Sequence, residues 1–459
     1  MTSAIGTRAT SGRSAGYVSA NARREQARAL RKRVPRSAHA IWAPPADRRD
    51  PVEIIGEQDA HRIAELVPIR RERMRASPFA FFRGAAAVMA EDLANTPTSG
   101  LRVQACGDAH LLNFGIYASP ERELVFDIND FDETLPAPFE WDVKRLAASV
   151  LVAAREQGFS SKQCETAARA SAASYGATMT ASAAKGHLDV WYDHIAVDDV
   201  LALIQTAGER KLETKVVRKA ERATSLGALD KLTKVVDGLP RIIDNPPLVE
   251  HTPEDPGRVE ALDALRRYRR SLSDDIRVLL GRYRAIDWAR KVVGVGSVGT
   301  DDAIVLLLGD SAQDPLFLQV KQAQASVLEP AAGASRYRNH GQRVVAGQRV
   351  TQAASDIFLG WTAIEQRHYY VRQLRDMKAS VPIEKLSAAE LRDYAGGCGA
   401  ALADGHARSG DPVAIAAYLG KGSAFERAIG RFASEYADQA EQDYGRFVES
   451  MPADPRTSR

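Results

Sequence analysis

Gly107-Asp108-Ala109-His110-Leu111-Leu112-Asn113, followed by Val125-Phe126-Asp127-Ile128-Asn129-Asp130-Phe131-Asp132, is the stretch on which the reading of this chain turns. An Asp, an Asn five residues later and a strand ending in further aspartates is the layout of a phosphoryl-transfer site. Such transfer asks a protein for positioning and charge neutralisation rather than covalent chemistry. Asp108 is expected to orient an acceptor hydroxyl and take its proton. Asn113 with Asp127 or Asp130 gives the oxygen-rich set that suits Mg²⁺. Two other readings fit the same letters. Asp108, His110, Asp127 and Asp130 could form a hydrolytic metal centre, although no further His stands nearby at ligand spacing. Turn-forming Gly-Asp and Asx residues could also make a plain structural loop.

A transfer site of this kind also needs a phosphate cradle and a cation. The candidates lie far downstream. Gly294, Gly296, Ser297 and Gly299 make a Gly-x-Gly-x-x-Gly segment, followed by Phe317-Leu318-Gln319-Val320-Lys321 and then by Glu329. A glycine hairpin lets backbone N–H groups approach phosphates, a strand lysine contacts them, and a helix glutamate can fix that lysine by ion pairing. Strands are expected on both sides of the loop. That excludes the strand–loop–helix crossover of dinucleotide-binding folds.

The chain has 459 residues, enough for two or three cores, and its 45% hydrophobic and 26% charged content is that of ordinary globular proteins. A net charge of +3 gives no global reason to expect nucleic acid as a partner. Residues 1–50 carry 11 Lys/Arg against three acids, about +8, and are expected to form a basic disordered tail. No apolar run reaches the ~18–20 residues of a membrane span, and the N-terminus lacks a signal-peptide core. With three scattered cysteines, Cys106, Cys164 and Cys398, a reducing cytoplasmic setting is expected. Cys106 reads as a small buried residue ending a strand.

Outward from the two motifs, 57–94 reads as helical, with Arg83 embedded in the aromatic run Phe79–Phe82 and in need of an anionic partner. Leu101–Cys106 and Glu123–Ile128 read as strands that could pair as a hairpin, after which Pro136 and Pro138 break the chain. Residues 141–158 show helical apolar spacing at Val143, Leu146, Ala147 and Val150. Residues 161–186 and the basic 205–235 segment read as helical, as do 324–367 and 386–448. Strands are expected near 290–322 and at 368–372. The fold class expected is α+β and helix-rich. Its divisions are a large-lobe segment over 51–289, a small lobe with an antiparallel sheet over 290–380, a helical segment over 381–448, and a tail from 449.

The blocks 77–84 (Ser-Pro-Phe-Ala-Phe-Phe-Arg-Gly), 106–115, 126–134 and 139–147, with Tyr370–Asp376 and His406–Asp411, resemble the bacterial family called domain of unknown function 2252. The resemblance spans most of residues 50–445. A more distant similarity is to aminoglycoside phosphotransferase-like kinases, whose catalytic loop reads His-Gly-Asp-x-x-x-x-Asn. Gly107, Asp108 and Asn113 match that loop and Cys106 replaces its His; the metal Asp of that group falls on Asp127 or Asp130. This similarity implies a two-lobe kinase-like fold using ATP and Mg²⁺ on an unknown small-molecule or protein acceptor. The order of the motifs implies a circular permutation. Read from Lys291 to the C-terminus and then from the N-terminal side, the chain presents glycine loop, Lys321, Glu329, a strand, helices, Asp108, Asn113 and Asp127/Asp130. Arg83, Arg372 and Arg375 are further anion contacts on this reading. Nucleotidyl transfer, a nucleotide-binding pseudoenzyme or scaffold, and metal-dependent phosphoester hydrolysis are the alternatives.

Overall fold

The computed structural model describes residues 18–198, 216–251, 258–292, 294–374 and 377–452. Its architecture is α+β, helix-rich with small antiparallel sheets. Strands β1 (Arg102–Ala105), β2 (Phe114–Ala118), β3 (Leu124–Ile128) and β4 (Leu135–Pro138) form two ribbons, β1 with β4 and β2 with β3. Strands β5 (Thr233–Val236) and β6 (Leu239–Ile242) make a further hairpin. A six-stranded antiparallel sheet then follows, from β7 (Val249–Glu250), β8 (Arg284–Lys291), β9 (Ala303–Leu308), β10 (Pro315–Ala323), β11 (Gly360–Ile364) and β12 (Arg367–Gln373), in the order β11-β12-β10-β9-β8-β7.

This pairing corrects the expected hairpin between 101–106 and 123–128. Phe114–Ala118, directly after the Asp108 loop, forms its own strand and takes Leu124–Ile128 as partner. The proline-bearing Leu135–Pro138 pairs with β1 instead of breaking the chain. Pro136 and Pro138 are two apart, so both missing N–H groups face the outer edge, while Phe139 N–H donates to Leu101 O on the β1 side. The expected helix over 324–367 is corrected as well. It holds only at Glu329–Ala332 and His340–Thr351, and Gly360–Ile364, which includes the strand formers Trp361, Thr362 and Ile364, joins the sheet.

The six-stranded sheet is covered on both faces, as strict alternation along β9 and β10 dictates. Leu306, Leu308 and Phe317 pack with Ala228, Leu229 and Ile242 on one side. Leu307, Leu316 and Leu318 pack with Tyr268, Leu272 and Phe358 on the other. Lys321 shares the parity of Phe317 and lies in register with Tyr370 of β12.

The largest core surrounds the helix Phe139–Glu156, of which only the last two residues escape burial. The helices Ser161–Ser182, Ala388–Ser409 and Ala424–Glu449 pack around it. Ser161–Ser182 and Ala388–Ser409 approach most closely at Gly399, where a Cβ would overlap the Ser171 carbonyl.

The expected disordered tail does not hold from Val18 onward; residues 1–17 lie outside the described residues. Ser19 caps the helix Ala20–Arg33. Its arginines have partners: Arg23 pairs with Asp411 at 2.9 Å, and Arg31 donates to the carbonyls of Ala417 and Tyr418. Arg36 donates to Leu419 O at 2.7 Å. The last carbonyls of the helix Pro412–Leu419 are thus met by cations, the arrangement its dipole favours. The basic residues here serve the fold, Arg31 and Arg36 at helix carbonyls and Arg23, Arg48 and Arg49 in ion pairs with carboxylates.

Candidate functional site

The Asp108 loop is held from below by one polar stripe on an otherwise apolar helix. Asp142 accepts the N–H groups of Cys106 at 2.7 Å and Gly107 at 3.0 Å. One turn on, the guanidinium of Arg145 meets Asp108 Oδ1 at 2.6 Å, and Ser149 Oγ accepts from Leu111 N–H at 3.1 Å. Positions 142, 145 and 149 share a helix face. His406 Nε2 lies 3.1 Å from Asp142 and its Nδ1 2.9 Å from the Tyr175 hydroxyl, which braces the Asp from behind. Gly107 turns the chain with φ +85° against the Glu133 backbone. Cys106 is buried and burial raises its thiol pKa well above the ordinary range, as an inert core residue requires.

Asp108 and Asn113 are close in the loop: Asn113 Nδ2 donates to Asp108 O at 2.7 Å, leaving its amide oxygen as an acceptor. Burial raises the Asp108 pKa, while Arg145 and Arg83 pull it down. His110 Nδ1 accepts from Leu112 N–H, and burial followed by Arg83 and Arg145 drives its pKa far down, so it is neutral.

These residues open on a cleft with about 910 Å³ of space between protein atoms, part of it open to solvent. Asp108, His110, Asn113, Asp130, Asp132 and Glu133 line one side, and Gly294, Gly296 and Ser297 line another. The two motifs almost 200 residues apart in sequence therefore face one space. The loop carbonyls of Gly294, Val298 and Gly299 are taken by Arg73, Arg62 and Ile63 N–H. Among the described residues, the N–H groups of Gly296 and Ser297 have no acceptor. Gly299 packs on the Arg62 side chain, back from the cleft lining.

Lys321 is 2% exposed and stands behind the cleft wall, its Nζ 2.6 Å from Asp132 Oδ2 and 3.9 Å from Asp130. Tyr370, its register partner, donates to Asp132 Oδ1 at 2.6 Å. Burial alone would raise Asp132, but Lys321 outweighs it and holds that carboxyl below its usual range. Burial and the Asp132 charge push Asp130 upward. Lys321 is raised because Asp130 and Asp132 more than offset its burial. Burial also pushes Glu133 and Asp302 up to about 7.

Glu329 does not meet Lys321. It accepts from Ser326 N–H at the head of its own four-residue helix. The bracing role falls to Arg343, whose guanidinium binds Thr134 O, Asp132 O and Gln324 O at 2.7–2.8 Å and ties the aspartate loop to the end of β10. Asp127 does not line the cleft; its carboxylate accepts from Ile128 N–H, Ala353 N–H and the Tyr117 hydroxyl. Arg372 donates to Asn129 O and Gln319, while Arg375 lies outside the described residues, as do Arg210, Lys211 and Lys215. Among the described residues, no three His, Cys, Asp or Glu side chains are gathered as a metal site. A hard cation at Asn113 and Asp130 would have to complete its shell with ligand oxygens or water, the habit of Mg²⁺.

Asp132, Asp142, Arg145 and Tyr370 are the site residues the sequence reading did not assign. The signal for two of them was present: Glu140, Asp142, Lys144 and Arg145 are four charges inside an apolar helix, and buried charges need partners.

No helix among the described residues is long and apolar enough to cross a membrane. No curated protein and no solved structure matches the chain. Residues 62–450 match the family model described as "Uncharacterized protein conserved in bacteria (DUF2252)". With most of its length matched, from Arg62 through the Asp108 loop and Lys321 to the last long helix, the chain belongs to the DUF2252 family.

Proposed function

We propose that the protein is an ATP- and Mg²⁺-dependent phosphotransferase with a kinase-like, two-lobe, circularly permuted fold, acting on an unidentified acceptor. One convergence carries this reading. Gly294, Gly296 and Ser297 line the same cleft as Asp108, Asn113 and Asp130, and Lys321 reaches Asp132 on its wall. A permuted kinase requires that meeting; a plain sheet with a surface lysine does not.

In this scheme the N–H groups of Gly296 and Ser297, which have no acceptor among the described residues, receive phosphate oxygens. Lys321, kept charged by Asp130 and Asp132, offsets part of the carboxylate charge on the cleft wall. Asn113 and Asp130 would hold Mg²⁺, which offsets phosphate charge when bound. Asp108 orients the acceptor hydroxyl and takes its proton, with Arg145 fixing the carboxylate through Oδ1. Glu329, without a bond to Lys321, has no role in the scheme.

A nucleotide-binding protein without turnover is the second reading. The observation favouring it is that same Asp108–Arg145 pair, which occupies one oxygen of the would-be base. Purified protein separates the two. ATP with Mg²⁺ should raise the melting temperature, since ligand at 100 times its dissociation constant stabilises by ~2.7 kcal/mol. Asp108→Asn should keep that shift and lose ATP turnover. No shift with any nucleotide would overturn both readings, and turnover surviving in Asp108→Asn would remove Asp108 from its role.

A further inference from the structure

The wall of the cleft beside Asp108 carries more guanidinium groups than it has partners for. Arg145 is satisfied by Asp108, by Phe82 O at 3.0 Å and by the face of the Phe82 ring. Arg70 gives its terminal nitrogens to Asp59 at 2.7 Å, to Gln58 and to Gly84 O, although its buried Nε has no acceptor among the described residues. Arg62 and Arg83 are different. Arg62 gives one nitrogen to Val298 O; among the described residues it forms no ion pair, and its buried Nε has no acceptor. Arg83 forms no hydrogen bond and no ion pair among the described residues, and its Nε too is buried without an acceptor.

Arg83 is not loosely held. It sits in the short helix Pro78–Gly84, anchored by the buried Phe79, Phe81 and Phe82 and capped by Ser77. The glycine loop runs beside its backbone: a Cβ added at Gly296 would lie 3.8 Å from Arg83 O. The one carboxylate acting on it, Asp108, already gives Oδ1 to Arg145. A guanidinium has five N–H donors in a rigid fork suited to oxyanions, and a buried donor left unmet, as the Nε of each arginine is among the described residues, is costly. Arg83 with no bond and Arg62 with only the Val298 bond line the same cleft, beside Gly296 and Ser297, whose N–H groups have no acceptor among the described residues.

We infer that Arg83 and Arg62 form a seat for a phosphate-type oxyanion on the Asp108 side of the cleft. The seat follows from the unmet donors alone and stands whatever reaction the cleft runs. Two sources supply the same chemistry: the terminal phosphate of a nucleotide, or a phosphate carried by the acceptor.

Inorganic phosphate and pyrophosphate are the probes, titrated at constant ionic strength against chloride with thermal shift and calorimetric readouts. The full-length protein should bind phosphate saturably. Arg83→Gln should weaken that binding at least tenfold, Arg83→Lys less, and the exposed Arg431→Gln not at all. Arg62→Gln is the second variant should Arg83→Gln fail to fold. Absence of saturable phosphate binding, or binding unchanged in both Arg83→Gln and Arg62→Gln, would overturn the seat. Comparing ATP with ADP then assigns its source. Loss of affinity for ATP alone in Arg83→Gln makes it the terminal-phosphate seat, and unchanged affinity for both makes it the acceptor's. If no nucleotide binds the parent protein while phosphate still does, the phosphotransferase reading fails and the seat survives.

Discussion

Lys321 Nζ and Asp132 Oδ2 lie 2.6 Å apart although 189 residues separate them in sequence. The lysine comes from the central strand of the six-stranded sheet and the aspartate from the loop after β3, so this one contact joins the sheet to the helical core. Removing either charge leaves the other with weaker partners, Asp130 at 3.9 Å for Lys321 and the Tyr370 hydroxyl for Asp132. Asp132→Asn and Lys321→Met should each lower stability by about 2–3 kcal/mol in chemical denaturation. That lies below the ~3–5 kcal/mol of a broken fully buried pair, because Asp132 is partly open to the cleft. Equal midpoints for parent and variants would show the pair to be energetically idle.

The pH dependence of stability should carry the mark of Glu133 and Asp302. Both are carboxyls whose folded pKa is pushed up to about 7 by burial, above their unfolded values near 4. A raised acid binds its proton more tightly when folded. Its contribution is therefore full below about pH 4 and is lost as pH climbs toward 7. Melting curves taken from pH 4.5 to 7.5 should show a loss that Glu133→Gln and Asp302→Asn each reduce. A profile unaltered by either substitution would exclude these groups as its source.

Gly107→Ala should be costly far beyond a surface change. The position needs φ +85° and the new Cβ would overlap the Glu133 carbonyl, so strain and clash add to about 2–4 kcal/mol. Loss of phosphate or nucleotide binding should accompany it, because the clash pushes Glu133 and its neighbour Asp132 off the cleft wall. A melting temperature within a degree of the parent would contradict this geometry.

Asp142→Asn should loosen the loop without touching the cleft. It weakens two charge-assisted bonds to Cys106 and Gly107 N–H and the contact with His406, about 1–3 kcal/mol together. Hydrogen–deuterium exchange should speed up in peptides covering 103–111. If exchange there is unchanged, Asp142 does not anchor the loop.

Arg31→Ala and Arg36→Ala test whether the N-terminal helix belongs to the fold. Each removes a cation from the carbonyl end of Pro412–Leu419 and should cost about 1 kcal/mol. Neutral effects from both would return this region to the status of a loose tail.

The distribution of what could be read from sequence has physical causes. Asp108, Asn113, Lys321 and the glycine loop stood out because each is a local pattern whose chemistry is tied to spacing. The helix Phe139–Glu156 was legible in its apolar period. Strand partners were not: nothing local distinguishes β3 as the mate of β1 from β3 as the mate of β2, and two prolines concealed an edge strand. The partner of Lys321 was assigned to Glu329 because a sequence order suggested it. In three dimensions Asp132, brought up by Arg343 and Tyr370, takes that place. Composition cannot tell a solvated tail from arginines that serve carbonyls 383 to 387 residues away.

That separation also bears on how the chain is made. The aspartate loop leaves the ribosome first, and its counter-cation follows 189 residues later. Until β10 and its neighbour β12 have been synthesised, Asp130 and Asp132 have neither Lys321 nor Tyr370 to meet. The cleft is therefore a late product of folding, closed by contacts of very high sequence separation, the kind that forms slowly. A nascent chain halted before β10 would carry the helix that anchors the loop and the loop itself, yet present an open acidic edge. Pulse proteolysis of such stalled chains should cut near residues 129–134 and spare the completed protein.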